Sequence, residues 1–170
     1  MRKVIIFVIL VICLLFSLLF VPYKNSFVFT ETRTDHPTVH YVPFQSREFQ
    51  IRYTHSIHKT DVLETYQASK DFHIQLLSME YEDLAIGMPG YAEEGQTFEI
   101  EDGKYVLRHD DYFLPNFTIF ISTIDTDLVF IFDKKEIDLK KQLTKGKSYQ
   151  FQVKKMSVYE QMRGVKMDDK

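Results

Sequence analysis

The sequence predicts an all-β fold, a small sandwich or barrel of eight to ten short strands, preceded by one N-terminal transmembrane helix. Three observations carry that expectation. Beyond residue 24 most apolar residues recur at every second position, the rhythm of a half-buried strand. The runs that alternate are short and are broken by turn-forming residues, as in Glu101-Asp102-Gly103-Lys104. The first two dozen residues, by contrast, hold one long apolar run with no charge inside it.

That run extends from Val4 to Val21 and is interrupted only by Ser17. At a rise of roughly 1.5 Å per residue it makes about 27 Å of helix, close to the hydrocarbon thickness of a bilayer. A cleaved signal peptide would end in small residues at a processing site, whereas this run ends Leu18-Leu19-Phe20-Val21-Pro22-Tyr23. An uncleaved signal-anchor over 1–24 is therefore expected. Arg2 and Lys3 precede it and Lys24 alone follows it, which points the remainder of the chain to the extracytoplasmic side of the cell membrane as a single-pass protein. Cys13 lies within the run behind the bulky Val11 and Ile12, so it reads as a small apolar residue rather than a lipidation site. The exported part then has no cysteine, which excludes disulfides and thiolate chemistry there.

Beyond the anchor the chain reads as a series of strands. Ser26–Thr30 and Thr38–Val42 are short apolar runs, and Glu48–Thr54 alternates cleanly before a polar loop and a further run from Val62 to Ala68. Phe72–Tyr81 alternates except at Leu76-Leu77, where a bulge or a helix would produce the slip. Thr97–Leu107 reads as a hairpin about Asp102-Gly103, since Asp-Gly readily takes the positive φ values of a two-residue turn. Asn116–Thr123 and Asp127–Phe132 are expected to pair across the short link at Ile124-Asp125-Thr126, and Ser148–Lys154 completes the set. Glu136–Leu143 fits one short helix through Leu139 and Leu143, although Ile137 stands two before Leu139 and suits a strand. The domain is expected to cover 25–160, with a charged flexible tail over 161–170.

Composition narrows the function classes. Roughly 145 residues follow the anchor, enough for one core, and 12 of the 15 Phe and 9 of the 10 Tyr, without any Trp, supply its bulk. The net charge of −3 comes from interspersed charges, so there is no basic stripe and nucleic acid is set aside as a partner. With Gly 6 and Pro 5 there is no low-complexity linker to divide the chain.

The chemistry is concentrated in Tyr53-Thr54-His55-Ser56-Ile57-His58-Lys59-Thr60-Asp61-Val62-Leu63-Glu64-Thr65-Tyr66. His55, Ser56, Lys59, Thr60, Glu64 and Tyr66 donate, accept and titrate, and they form the candidate ligand-binding set. Lys59 with Ser56, Thr60 and a protonatable His55 suits a carboxylate, with Glu64 as a partner for Lys59. A polar network tying the hairpin together is the competing account of the same residues. Extended geometry puts His55 and His58 on opposite faces; a turn at Ser56 would bring them together and allow a metal site completed by Glu64. A serine nucleophile at Ser56 would need His55 or His58 as base, yet His55 is its chain neighbour on a strand, and no Gly-x-Ser-x-Gly elbow is present. The residues thus favour recognition over catalysis and imply no cofactor. The acidic pairs Glu93-Glu94 and Asp110-Asp111 lack a calcium-loop pattern, and Arg108-His109-Asp110-Asp111 reads as a loop between strands.

Tyr53-Thr54-His55-Ser56-Ile57, then Lys59-Thr60, Val62 and Glu64-Thr65-Tyr66, and later Tyr81 with Gly87-Met88-Pro89, resemble the bacterial domain-of-unknown-function family 1850. That resemblance implies a membrane-anchored accessory or binding domain beside a TRAP transporter of the TAXI type, for small organic anions. The partners it implies are the permease or its solute-binding protein. It adds a secondary loop at Gly87 and Pro89, where the family tends to show a Gly-Ala-Gly-Leu-Pro-like run and this chain has Leu84-Ala85-Ile86-Gly87-Met88-Pro89. The alternative from another class is a metal-binding or serine-type envelope enzyme built on His55, Ser56, His58 and Glu64.

Overall fold

A computed structural model describes residues 2–84 and 87–168, and of residues 14 and 15 the backbone alone. Met1 of the expected anchor, Ala85 and Ile86 of the Gly-x-Pro stretch, and the last two residues of the expected tail lie outside the described residues.

The chain opens with α1 (Arg2–Leu18), whose described side chains are all exposed. The expected span to Val21 is cut short. Leu19, Phe20 and Val21 donate to the carbonyls three residues back, tightening the last turn, and Pro22 biases Val21 away from the helical region. Among the described residues no helix is long and apolar enough to cross a membrane, which corrects the transmembrane helix expected there.

From Lys24 onward the chain folds into a β-sandwich. β1 (Lys24–Glu31), β2 (Val39–Pro43), β3 (Glu48–Thr54), β4 (Asp61–Ala68) and β5 (Ile74–Tyr81) lead into the hairpin β6 (Gln96–Glu101) and β7 (Lys104–His109). The short β8 (Phe113–Leu114) and β9 (Phe117–Phe120) precede β10 (Leu128–Phe132), β11 (Lys135–Asp138) and α2 (Leu139–Gln142). β12 (Ser148–Met156), α3 (Val158–Arg163) and β13 (Val165–Lys166) close the chain. One sheet has the order β13-β2-β1-β12-β9; the other runs β11-β10-β3-β4-β5-β7-β6, with β8 on β5. Every pairing is antiparallel except that of β13 with β2.

Aromatic rings fill the space between the sheets. Phe27 of β1 lies 4.9 Å from Phe49 of β3 and 5.2 Å from Phe130 of β10, centroid to centroid. These rings are the alternate residues of their strands, so each sheet turns one apolar face inward. Val28, on the opposite face of β1, is also buried, against Tyr41 and Met156.

Several sequence readings are met. Asp102 and Gly103 take φ values of 49° and 81° between β6 and β7. Leu77 is the residue skipped where Tyr66 pairs with Leu76 and Thr65 with Ser78, so the slip in the alternation is a bulge. Ile137 belongs to a strand, and only Leu139–Gln142 is helical in the stretch read as one short helix.

Others are corrected. β9 and β10, expected as a hairpin, belong to different sheets: β9 pairs with β12, while β10 pairs with β3 and β11. The hairpin partner of β10 is β11, across Asp133 and Lys134 at φ 46° and 62°. This turn has no glycine; the Asp133 carboxylate accepts the Gln45 and Ser46 amides at 2.9 and 2.8 Å, and those bonds hold it. Residues 161–168 of the tail expected to fray are packed on the domain instead. Ser157 and Glu160 form a capping box on α3, β13 joins the sheet, and Met167 is 2% exposed in the main core.

Candidate functional site

Antiparallel pairing sets Ile51 opposite Glu64 and Phe49 opposite Tyr66, so Tyr53, Glu64 and Tyr66 emerge on the inner face of the larger sheet. The apolar row of β4, Val62 and Ala68 with the ring of Tyr66, is interrupted by this one carboxyl. The Tyr53 hydroxyl donates to Glu64 Oε1 at 3.2 Å and the Tyr66 hydroxyl donates to Oε2 at 2.7 Å. Tyr66 is itself clamped: its ring stacks on Phe49 at 5.1 Å and on Phe117 of the facing sheet at 5.3 Å. A cavity of about 400 Å³ opens between the sheets here, lined by these three residues with Tyr112, Phe117 and Thr118 among others.

Burial raises the Glu64 pKa above the usual carboxylate range, and the bonds from Tyr66 and Tyr53 offset only part of that rise. Burial, together with the neighbouring Glu64 charge, pushes both phenols well above their ordinary value, so they remain donors. The raised carboxyl makes stability depend on pH. In the unfolded chain Glu64 ionises near 4.3; in the folded chain it holds its proton to higher pH. The contribution of Glu64 to folding stability is therefore greatest below the ordinary glutamate range, and falls as pH rises from there through the raised folded value. Glu64→Gln is expected to remove that fall. Urea denaturation from pH 4 to 8 should show the variant gaining on the parent toward neutral pH, and a constant difference across the series would refute this.

The structure divides the residues singled out from the sequence. Glu64 and Tyr66 come together, and Tyr53 joins them. His55, Ser56, Lys59 and Thr60 lie in the β3–β4 connection, where Ser56, Ile57, His58 and Lys59 are exposed and Lys59 takes φ 60°. The turn does bring His55 and His58 together, with ring centroids 5.7 Å apart. His55 Nδ1 accepts from the Ile57 and His58 amides, each at 3.4 Å, which ties it to its own loop. Glu64 pairs with neither Lys59 nor the histidines, because its carboxylate faces inward to the tyrosines. Among the described residues no group of three His, Cys, Asp or Glu side chains is placed to hold a metal ion.

His55 and Ser56 border a second cavity of about 320 Å³ that includes Lys140. That ammonium is already satisfied by the Ile124 carbonyl at 2.7 Å, the Thr126 hydroxyl at 2.9 Å and the Thr126 carbonyl. The Gly-x-Pro loop is held by the buried Tyr81, whose hydroxyl donates to the Pro89 carbonyl, while Gly87 turns the chain at φ 90°. It covers a cavity that shares Leu76 and Tyr112 with the Glu64 pocket. Arg108 and His109, read from sequence as loop, end β7 instead, and Arg108 bridges Glu99 and Glu101 at 2.9 Å each.

Sequence reasoning missed Tyr53, Tyr112 and Phe117 as parts of a site. Tyr53 was within reach: a strand alternation that places one glutamate in an apolar row asks which inward neighbour satisfies it. Tyr112 and Phe117 come from elsewhere in the chain, and their arrival depends on pairings that no local pattern records.

No curated protein and no solved structure matches the chain. A family described as Domain of unknown function (DUF1850) matches residues 49–139. The matched stretch holds every strand of the larger sheet and the β9 wall of the pocket, and leaves β1 and β12 outside it. More than half of the sequence is thus matched, and this chain belongs to the DUF1850 family.

Proposed function

We propose that this chain is an extracytoplasmic binding domain, held at the membrane by its apolar N-terminal segment, that works as an accessory to a TAXI-type TRAP transporter for small organic anions. The observation that carries the binding role is the pocket between the sheets. It has the size of a small-molecule site, mostly apolar walls, and one fixed polar cluster in Glu64, Tyr53 and Tyr66. The groups a hydrolase would need are placed apart: Ser56 is on an exposed turn, His55 Nδ1 is taken by backbone amides, and Glu64 is turned away from both.

The membrane role is supported by α1, which beyond Arg2 and Lys3 is apolar at every described position except Ser17; a helix that faced water on one side would carry a polar stripe. Where α1 ends, Phe20 packs on Tyr159 at 4.9 Å and the Tyr159 amide donates to the Leu19 carbonyl, with Tyr23 exposed nearby in sequence. Aromatic residues at such a level suit the headgroup region. The transporter link rests on the family resemblance, and a tether would raise the domain's effective concentration beside a membrane partner.

Uptake measurements test the proposal. Cells lacking the chain should lose TRAP-dependent uptake of an organic anion, and the full chain should sediment with the membranes and co-purify with the permease. Unchanged uptake, together with a chain that does not sediment, would reject it.

A further inference from the structure

The carboxyl at the centre of the pocket has no cation beside it among the described residues; its two hydrogen-bond partners are the phenols of Tyr53 and Tyr66. Those two bonds fix the direction of every polar group in the cluster. Each phenol spends its single O–H on Glu64, so each phenolic oxygen turns only lone pairs toward the cavity. Each carboxylate oxygen keeps lone-pair capacity as well. With Glu64 ionised, the cluster therefore accepts hydrogen bonds and offers none. An anionic ligand would set lone pair against lone pair and charge against charge. An uncharged apolar ligand would strip water from the carboxylate without replacing it.

We infer that the pocket between the two sheets binds a small organic cation, its ammonium group seated on Glu64 and the oxygens of Tyr53 and Tyr66. The walls suit the remainder of such a molecule. Phe117 and Leu128 provide apolar surface, and Tyr112, about half exposed, stands at the edge with a ring that attracts positive charge. The clamp of Tyr66 between Phe49 and Phe117 holds the acceptor geometry before any ligand arrives, which lowers the ordering cost of binding. A cation also supplies the counter-charge that burial denies to Glu64, so its binding and the ionisation of Glu64 favour one another. This assignment rests on the binding role proposed above, and the cation is the domain's own ligand, separate from the anion that the transporter carries.

Calorimetric titration of the full chain in detergent micelles tests it with four probes: choline, its uncharged tert-butyl isostere, n-butylammonium and butyrate. Of the two cations, n-butylammonium, whose N–H groups meet the acceptors, is expected to bind about tenfold or more tightly than the isostere and than butyrate, and choline, which brings the charge without an N–H donor, more tightly than either by a smaller factor. Their affinity should rise with pH through the titration of Glu64, because the proton competes for the same carboxyl. Glu64→Gln should erase the preference for cations. Carbon NMR of Glu64 gives a reading that needs no variant: saturation with choline should lower its pKa. Binding of butyrate or the isostere as tight as that of the cations would overturn the cation assignment and leave the binding role standing. So would a Glu64 pKa unmoved by bound choline. Absence of saturable binding by all four probes would overturn both.

Discussion

Phe151→Ala is expected to lower the free energy of unfolding by about 3–5 kcal/mol. Phe151 sits on β12 with no exposed surface, at the point where both sheets converge. Its ring centroid lies 4.9 Å from Phe29 and 5.0 Å from Phe117 in its own sheet, and 5.1 Å from Phe49 and 5.6 Å from Phe130 in the other. Truncation removes the ring's transfer free energy and leaves a void that these neighbours, themselves on paired strands, cannot collapse to fill. A domain of ordinary stability, about 5–15 kcal/mol, would be brought near its threshold. Phe151→Leu should recover part of the loss by refilling some of the volume. Urea denaturation gives both numbers, and a loss below about 1 kcal/mol for the alanine variant would mean that the two faces are not locked together here.

The second large effect is expected at Gly164, the residue that closes α3. Its φ of −91° and ψ of 167° are open to any residue, so conformation is not the issue. Space is. A Cβ there would lie 3.0 Å from Tyr41 Cδ1, 3.2 Å from the Val39 carbonyl oxygen and 3.3 Å from that of Glu160. Two of these three atoms are backbone, and two, those of Val39 and Tyr41, belong to β2, the strand on which β13 pairs. Gly164→Val must push α3 away from the sheet, at about 1–3 kcal/mol. The displacement should release β13 and with it the Met167 amide, which donates to the Tyr41 carbonyl at 3.0 Å. Faster hydrogen exchange at Met167 in the variant would report that release, and unchanged protection would contradict the expected mechanism.

Local signals in the sequence foretold local structure. The alternation of Glu48–Thr54 and of Val62–Ala68 placed two strands correctly, and Asp102-Gly103 marked its hairpin, because side-chain period and turn chemistry are properties of a few adjacent residues. Glu64 and Tyr66 stood out by residue type, and the pairing of β3 with β4 brings them together with Tyr53. Partnership was not legible. Ile124-Asp125-Thr126 looks like a hairpin link, yet it carries the chain from one sheet to the other, and that choice is made by Phe130 and Phe132 finding Phe27 rather than by the link itself. The Ser157 and Glu160 pair was a readable capping signal that the β-dominated pattern obscured. The loop histidines attracted attention by residue type, whereas Tyr112 and Phe117 reach the pocket only through tertiary contact.

β1 pairs along its whole length with β12, Lys24 with Met156 through Glu31 with Tyr149. The first strand of this domain must therefore wait for one of its last. Until residues near 150 emerge, Phe27 and Phe29 have no flanking partner on that side, while the β3–β7 meander can close as it is made. Completion of this domain is tied to the synthesis of β12. A nascent chain stalled short of Ser148 would expose the Phe27 and Phe29 edge of β1 to chaperones and proteases.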